Sequence, residues 1–286
     1  MNNSILIIGG TGTTGRELVN ILNNNQVEFK ALARTNEKAE AFQSEGINTV
    51  VGELGNWDSI TPALSGLDTI FLLTGASPEN VKNQNGLIDR AKAAGVRKIV
   101  KVSAVVAETG SDVHLADWHG QIEDHLKDSG LEYVILRPHS FMQNMLMSLP
   151  TIKGQGAFYE SIGEGKLPMI DARDVATASY HCLLKDDFNN GTYVITGPDS
   201  IGYSDVASSL SNASGKSISF LNVPSEAHNQ GMKAAGLPEW LADDLTAMSK
   251  KWARSKDQPT NDFQNITGQT ARSIDQFAQD YADWFK

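Results

Sequence analysis

Gly10, Gly12 and Gly15 stand in the order GxGxxG within Ser4–Gly15, SILIIGGTGTTG, and Gly9, Gly12 and Gly15 also satisfy the looser GxxGxxG. The chemistry this spacing suits is the holding of a diphosphate. A tight turn takes glycine because a side chain clashes at positive φ. A pyrophosphate needs bare backbone to come close, and a helix starting inside the turn offers free N–H groups and the positive end of its dipole. Thr11, Thr13 and Thr14 complete the candidate cradle. The pattern gains its force from context: the apolar run Ile5–Ile8 precedes it, and an amphipathic stretch from Thr13 to about Asn24 follows, with Leu18, Val19, Ile21 and Leu22 on one face. The alternative is a strand-to-helix turn that binds nothing.

A second chemical signal follows the next apolar run, VEFKALA (Val27–Ala33). A dinucleotide fold that selects NAD carries a carboxylate at this strand end for the ribose 2′-hydroxyl. Here the end reads Leu32-Ala33-Arg34-Thr35-Asn36, with no acid. A guanidinium at this place suits a 2′-phosphate, because its planar fork makes charged, bidentate hydrogen bonds. Arg34, with Lys38 adding charge, therefore favours NADP(H) over NAD(H); the alternative is a solvated surface arginine. Glu53 and Leu54, after the third strand, are placed where an adenine packs, and Thr74-Gly75 ends the fourth strand, where open α/β sheets bind ligands.

Composition excludes several other chemistries. The chain of 286 residues holds 24 Lys and Arg against 34 Asp and Glu, a net charge of −10, which argues against a nucleic-acid surface. Its one cysteine, Cys182, rules out an internal disulfide and a multi-thiolate metal site, and its apolar setting TASYHCLL marks it as inert core. No His, Cys, Asp or Glu spacing fits a metal. There is no basic, apolar leader and no run of the ~18 apolar residues that a membrane span needs, so a cytoplasmic protein that binds neither membrane nor nucleic acid is expected. A homodimer is compatible with this sequence.

The elements that would position these residues alternate strand and helix. Strands are expected at Ile5–Ile8, Val27–Ala33, Asn48–Gly52, Asp68–Leu73, Arg97–Val102 and Leu131–Leu136. Helices lie between them, with Asn36 as the cap of the second, Pro78 opening a long helix to Ala94, and Leu115–Ser129 before the sixth strand. This predicts an α/β fold, a Rossmann-type doubly wound parallel sheet. Arg137-Pro138 is expected to break the sixth strand, Thr151–Pro168 to be a Gly-rich loop or small hairpin, and Thr192–Thr196 to return to the sheet. Residues 1–150, with 170–197, would form the dinucleotide domain. Residues 198–286, with 151–169, would form a small, mainly helical substrate lobe in which Asp257–Thr267 is a polar linker and Ser273–Trp284 a last helix.

Several blocks together resemble the NmrA-like branch of the atypical short-chain dehydrogenases/reductases: GGTGTTG, the Arg34 strand end, HGQIEDHLKDSGLEYVILRPHSFMQN (His119–Asn144), MIDARDVA (Met169–Ala176) and YVITGPDSIGYSDVA (Tyr193–Ala207). The resemblance covers nearly the whole chain. It implies a C-terminal lobe over the sheet's C-terminal edge with the cofactor in the cleft between, touching Ser103 and Pro138 besides the residues named above. The branch includes NADPH-dependent reductases of quinones, triphenylmethane dyes and azo dyes, and regulators that bind the dinucleotide without turning it over.

Short-chain reductases generally activate a carbonyl with Tyr-x-x-x-Lys and a Ser. This chain has Ser103 at the right strand end, but none of its six tyrosines is followed four residues later by Lys; where the helical Tyr would stand, the run is Asp117-Trp118-His119-Gly120-Gln121. Reduction of an alkyl ketone makes an alkoxide and needs a nearby acid. A quinone or dye gives a stabilised product, so orientation beside the nicotinamide could suffice. The expectation is hydride transfer to a small conjugated electrophile, with Ser103 and His119 as catalytic candidates and Trp118, His119, His139, Phe141, Met142 and Asn144 around the acceptor. Each has a plainer alternative: core packing for Phe141 and Met142, structural histidines for His119 and His139, capping for Ser103 and Asn144. Asp171 and Asp174 read as helix-capping acids. The second functional reading is a non-catalytic NADP(H) sensor acting on a protein partner.

Overall fold

The computed structural model describes residues 4–286. In chain order the elements begin β1 (Ile5–Ile8), α1 (Thr13–Asn24), β2 (Phe29–Ala33), α2 (Asn36–Ser44), β3 (Asn48–Val51), α3 (Trp57–Leu64), β4 (Thr69–Leu72), α4 (Asn80–Ala93), β5 (Lys98–Val102), α5 (His114–Asp128) and β6 (Glu132–Pro138). A 3₁₀ turn (Met142–Ser148) then leads to α6 (Leu149–Gln155), β7 (Ala157–Glu160), α7 (Ala172–Leu184), β8 (Gly191–Ile195), α8 (Tyr203–Ser214), β9 (Ser219–Asn222), α9 (Ser225–Ala234), α10 (Glu239–Trp252), α11 (Asp262–Thr267) and α12 (Ile274–Asp280).

Seven strands form one wholly parallel sheet in the order β3-β2-β1-β4-β5-β6-β8. The expected doubly wound fold is therefore the observed one. The apolar strands are continuous because both faces are covered. Side chains alternate across the pleat: Ile5 and Ile7 pack with residues of α1, α2, α7 and α11, while Leu6 and Ile8 pack with residues of α3, α4 and α5. The winding direction reverses between β1 and β4, which opens a crevice at their C-terminal ends.

Four local expectations are corrected. Thr35, not Asn36, caps α2, its Oγ1 accepting from the Lys38 N–H at 3.3 Å. β6 is not broken at Arg137-Pro138: both residues stay in register with Val194 and Ile195 of β8. Pro138 lacks only an N–H, and a strand end tolerates that loss. Thr151–Pro168 is loop only after Glu160 and forms no hairpin. It holds the end of α6 and β7, and β7 pairs in parallel with the distant β9. Asp257–Thr267 is not merely a linker, because Phe263 and Ile266 of α11 are buried against the sheet's first face. Burial of each is worth ~1.5–3 kcal/mol, enough to order a short helix that composition alone marks as polar.

A third apolar cluster lies beyond the sheet, where Met142, Met145, Phe158, Tyr203, Leu210, Phe277 and Phe285 join the 3₁₀ turn, β7, α8 and the C-terminal segment. No helix among the described residues is long and apolar enough to cross a membrane. Cys182 is fully buried and its thiol is pushed up to about 12, as expected for inert core.

Candidate active site

The glycine turn lies between β1 and α1. Gly9 has φ +88°, and a Cβ there would come within 2.2 Å of the Leu73 carbonyl oxygen; at Gly15 it would stand 2.1 Å from the Gly9 oxygen. These two glycines are required by the chain's own packing. Gly12 is not, since its nearest neighbour would be 3.5 Å away. Thr11, Gly12 and Thr13 are exposed, whereas Gly10 and Thr14 are buried beneath them. Gly12 caps α1 with no side-chain hydrogen bond, and the first turn carries no acid. Bare, uncapped N–H groups facing open space at the crevice fit the diphosphate of a dinucleotide.

At the next strand end, Arg34 and Lys38 are both exposed. Arg16, the other cation nearby in sequence, is held by Glu45 and lies over the Phe42 ring at 5.5 Å. Among the described residues Arg34 has no ion pair, so its guanidinium is available to an anion. Glu53 is exposed and Leu54 half-buried against the second face of the sheet.

The ends of β4, β5 and β6 carry a buried polar network that sequence reasoning found only in part. Thr74 Oγ1 accepts from Gln84 Nε2 at 2.8 Å and donates to Asn80 Oδ1 at 3.1 Å, and Asn80 Nδ2 donates to the Gly75 carbonyl at 2.9 Å. Lys101, wholly buried in β5, donates to Gln84 Oε1 at 3.1 Å and to the Val102 carbonyl at 3.4 Å. Its Nζ is also 3.4 Å from His119 Nδ1, and Ser103 Oγ is 3.3 Å from the same nitrogen. Ser103 donates at 2.6 Å to Glu123 Oε1. Glu123 has no exposed surface and is gripped by Arg137, Nε at 2.9 Å and Nη2 at 2.6 Å, with Lys127 at 3.3 Å. A bidentate guanidinium is the partner a buried carboxylate needs to stay charged.

Burial sets the protonation states. Desolvation lowers the Lys101 ammonium to about 7 against the opposing pull of Glu123. His119 is lowered to about 3, first by burial and then by the charges of Lys101 and Arg137, so its ring is neutral at neutral pH. The Arg137 guanidinium is raised by its hydrogen bonds to Glu123.

The structure thus brings the two catalytic candidates Ser103 and His119 together, and Ser103 caps no helix but binds Glu123. Lys101, Gln84, Glu123 and Arg137 were missed. The available signals were a lysine within the apolar run RKIVKV, which must find partners in a covered sheet, and the i, i+4 spacing of His119 and Glu123 on one helix face.

His139 lies apart from this group. Its Nδ1 accepts from the Ser140 N–H at 2.8 Å and its Nε2 is 3.2 Å from Asp257, so both nitrogens are occupied and the ring is structural. Met142 is 1% exposed within the third apolar cluster, and Phe141 packs against the sheet's first face, which are the packing alternatives. Pro138 is buried and Asn144 exposed. Asp171 caps α7, accepting from the Arg173 N–H at 2.8 Å, while Asp174 holds Arg272 of the C-terminal segment rather than capping its own helix. Trp118 packs at a tilt against Trp240 of α10, ring centroids 5.1 Å apart, and, with Asn80, Leu115, His119 and Ile122, lines a crevice of about 10 Å³, room for roughly one water. A larger groove of about 420 Å³, bordered by Lys166, Asp199, Ser200, Lys256 and Gln258, shares no residue with this network.

A doubly wound sheet with an open glycine cradle at its switch point and a buried polar cluster beside it defines a dinucleotide-binding α/β protein. The model of the NmrA-like family matches residues 1–284, and the chain belongs to that family. It is 35% identical over 285 residues to the NAD(P)H azoreductase of Xenophilus azovorans, covering 98% of this chain and 99% of the relative. It is 30% identical over 244 residues to quinone oxidoreductase 2 of Escherichia coli strain K12, covering 84% and 85%. Among solved structures it is similar to an NADPH-dependent quinone oxidoreductase of Escherichia coli complexed with NADPH, with a TM-score of 0.87, 26% identity and coverage of 96% and 99%.

Proposed function

We propose that this protein is an NADPH-dependent reductase whose acceptor is a quinone or a similar conjugated electrophile. The chain is an NAD(P)H-dependent oxidoreductase; its NmrA-like membership and its similarity to an azoreductase and a quinone oxidoreductase support that assignment. Its coenzyme supplies the hydride when bound. Gly12 and the uncapped start of α1 take the diphosphate, Gly9 and Gly15 hold the turn's shape, and Arg34 with Lys38 takes the 2′-phosphate. Glu53, Leu54, Thr74 and Gly75 border the adenine and crevice sides.

The acceptor class rests on one observation: His119 Nδ1 converges on Ser103 and Lys101 at the end of β5, next to the crevice, where no Tyr/Lys pair stands. Both short contacts fall on Nδ1, which leaves Nε2 to face a bound molecule. A neutral imidazole can pass on its Nε2 proton only as Nδ1 takes up another, which suits an acceptor whose product anion is already stabilised and asks for no strong acid. Trp118 supplies a flat apolar wall. The crevice beside it holds no ring as it stands, so admission of the acceptor requires α10 to shift away from α5.

The test is NADPH oxidation across a panel of quinones, azo dyes and cationic dyes. Turnover with these acceptors, and little with alkyl ketones, is the expected result. A blank across the panel with tight NADPH binding would overturn it in favour of a non-catalytic sensor.

A further inference from the structure

Lys101 is the one member of the buried network whose charge has no direct carboxylate partner. It sits in the interior strand β5, between β4 and β6, with no exposed surface, and its neighbours approach from every side. α4 offers the uncharged Gln84. α5 offers His119, with Glu123 one turn further on and Lys127 beyond it, and β6 offers Arg137. Glu123 is already taken by Arg137, Ser103 and Lys127. A buried ammonium without its own counter-ion is costly in a core. It gives up a proton more readily than a lysine in water, and the imidazole of His119 is in contact with it at 3.4 Å.

We propose that Lys101 is the proton store of this site and that it acts through His119. This rests on the reductase reading above. When the acceptor receives the hydride pair, its C=O or N=N π pair becomes a lone pair on oxygen or nitrogen. That lone pair takes the proton from Nε2 of His119, and Nδ1 takes a proton from the Lys101 ammonium at the same time. The ring ends neutral in its other tautomer, Lys101 ends as a neutral amine, and the next proton comes from solvent. Ser103 is not the donor, because its hydroxyl hydrogen is committed to Glu123; its oxygen can accept from Nδ1–H and so steadies the second tautomer. The Glu123–Arg137 pair holds Ser103 in place. Lys101 is thus a positioning and proton-supplying residue, and His119 is the group that touches the acceptor.

The experiment uses the full chain and two readouts. The first compares a quinone, which needs a proton with the hydride, with a cationic triphenylmethane dye, which takes hydride alone and becomes neutral. In Lys101→Met the ratio of quinone to dye turnover should fall about a hundredfold, the low end for loss of a general acid, and the quinone pH profile should lose its limb near neutrality. An equal loss on both acceptors would mean that Lys101 is merely structural, and would overturn the proposal. The second readout needs no turnover and no variant: nitrogen chemical shifts of labelled His119 in the wild-type protein. A step through neutral pH, with the ring staying neutral, reports Lys101 titrating against Nδ1; shifts that stay flat overturn the pair. If the wild-type protein reduces neither acceptor, the reductase reading fails, while the nitrogen shifts still decide whether Lys101 and His119 exchange a proton.

Discussion

Asp244, in the second turn of α10, stands at the N-terminus of α5 and does for His114 what a capping residue does for its own helix. Its carboxylate accepts from the backbone N–H groups of His114 at 3.1 Å and Leu115 at 2.8 Å, and it lies 2.9 Å from Nδ1 of His114. The local cap position is Val113, which has no side chain able to serve. α5 carries Trp118, His119 and Glu123, so α10 fastens directly onto the helix that builds the candidate site.

Replacing Asp244 with Ala removes both backbone contacts at once. Loss of a cap costs about 1–2 kcal/mol. At ~2–4 °C per kcal/mol for a large domain, the melting temperature should fall by several degrees. Amide exchange should rise first at His114–Asp117. Unchanged exchange there would mean that the contact carries no stability.

Gly12 and Gly15 should respond differently to a side chain. Gly15→Ala puts a methyl group 2.1 Å from the Gly9 oxygen and should destabilise the apo protein itself, whereas the nearest contact at Gly12 would be 3.5 Å. Gly12→Val should therefore cost the apo protein only what a poorer N-cap costs, less than Gly15→Ala does, and abolish the stabilisation that NADPH gives. Thermal melts with and without coenzyme distinguish the two; retained stabilisation in Gly12→Val would move the diphosphate elsewhere.

Arg34→Ala should weaken NADPH by about ten- to a hundredfold, the worth of one or two charged hydrogen bonds, and NADH very little. Calorimetric titration of both coenzymes checks it. Equal losses would remove Arg34 from the 2′-phosphate.

Two desolvated groups, the wholly buried Lys101 and the half-buried Glu160, should shape the pH dependence of stability in opposite senses. Lys101 falls from its ordinary 10.5 to about 7 on folding, so between these values the unfolded chain binds the extra proton and stability rises with pH. Glu160 rises from 4.5 to about 7 through burial, so the folded chain holds the extra proton and stability falls as pH climbs through that window. Denaturant midpoints measured against pH should show both slopes in the wild-type protein. Lys101→Met should lose only the alkaline slope and Glu160→Gln only the acidic one.

Much of this protein was legible from local pattern. The strand and helix periods, the glycine spacing and the arginine at a strand end depend on neighbours a few residues apart, and they led to the doubly wound sheet, its switch-point crevice and the coenzyme. Pairings between distant segments were not legible. β7 and β9 lie some sixty residues apart in register Ala157 with Ser219, and nothing within either strand specifies the other. α11 looked like linker because its two buried residues are isolated among polar ones.

The same division runs through the candidate site. By itself, the sequence determined that a glycine turn of a shape suited to a diphosphate stands after β1, that the usual Tyr/Lys pair is missing and that Ser103 and His119 are available, because each of these is a matter of residue type and spacing along one stretch. Only the tertiary structure decided that Lys101 reaches His119, that Glu123 is locked to Arg137 and that Asp244 caps a helix 130 residues away in sequence. The reason is that a buried charge or an uncapped N–H must be satisfied by whatever the packing of separate elements brings within hydrogen-bond range.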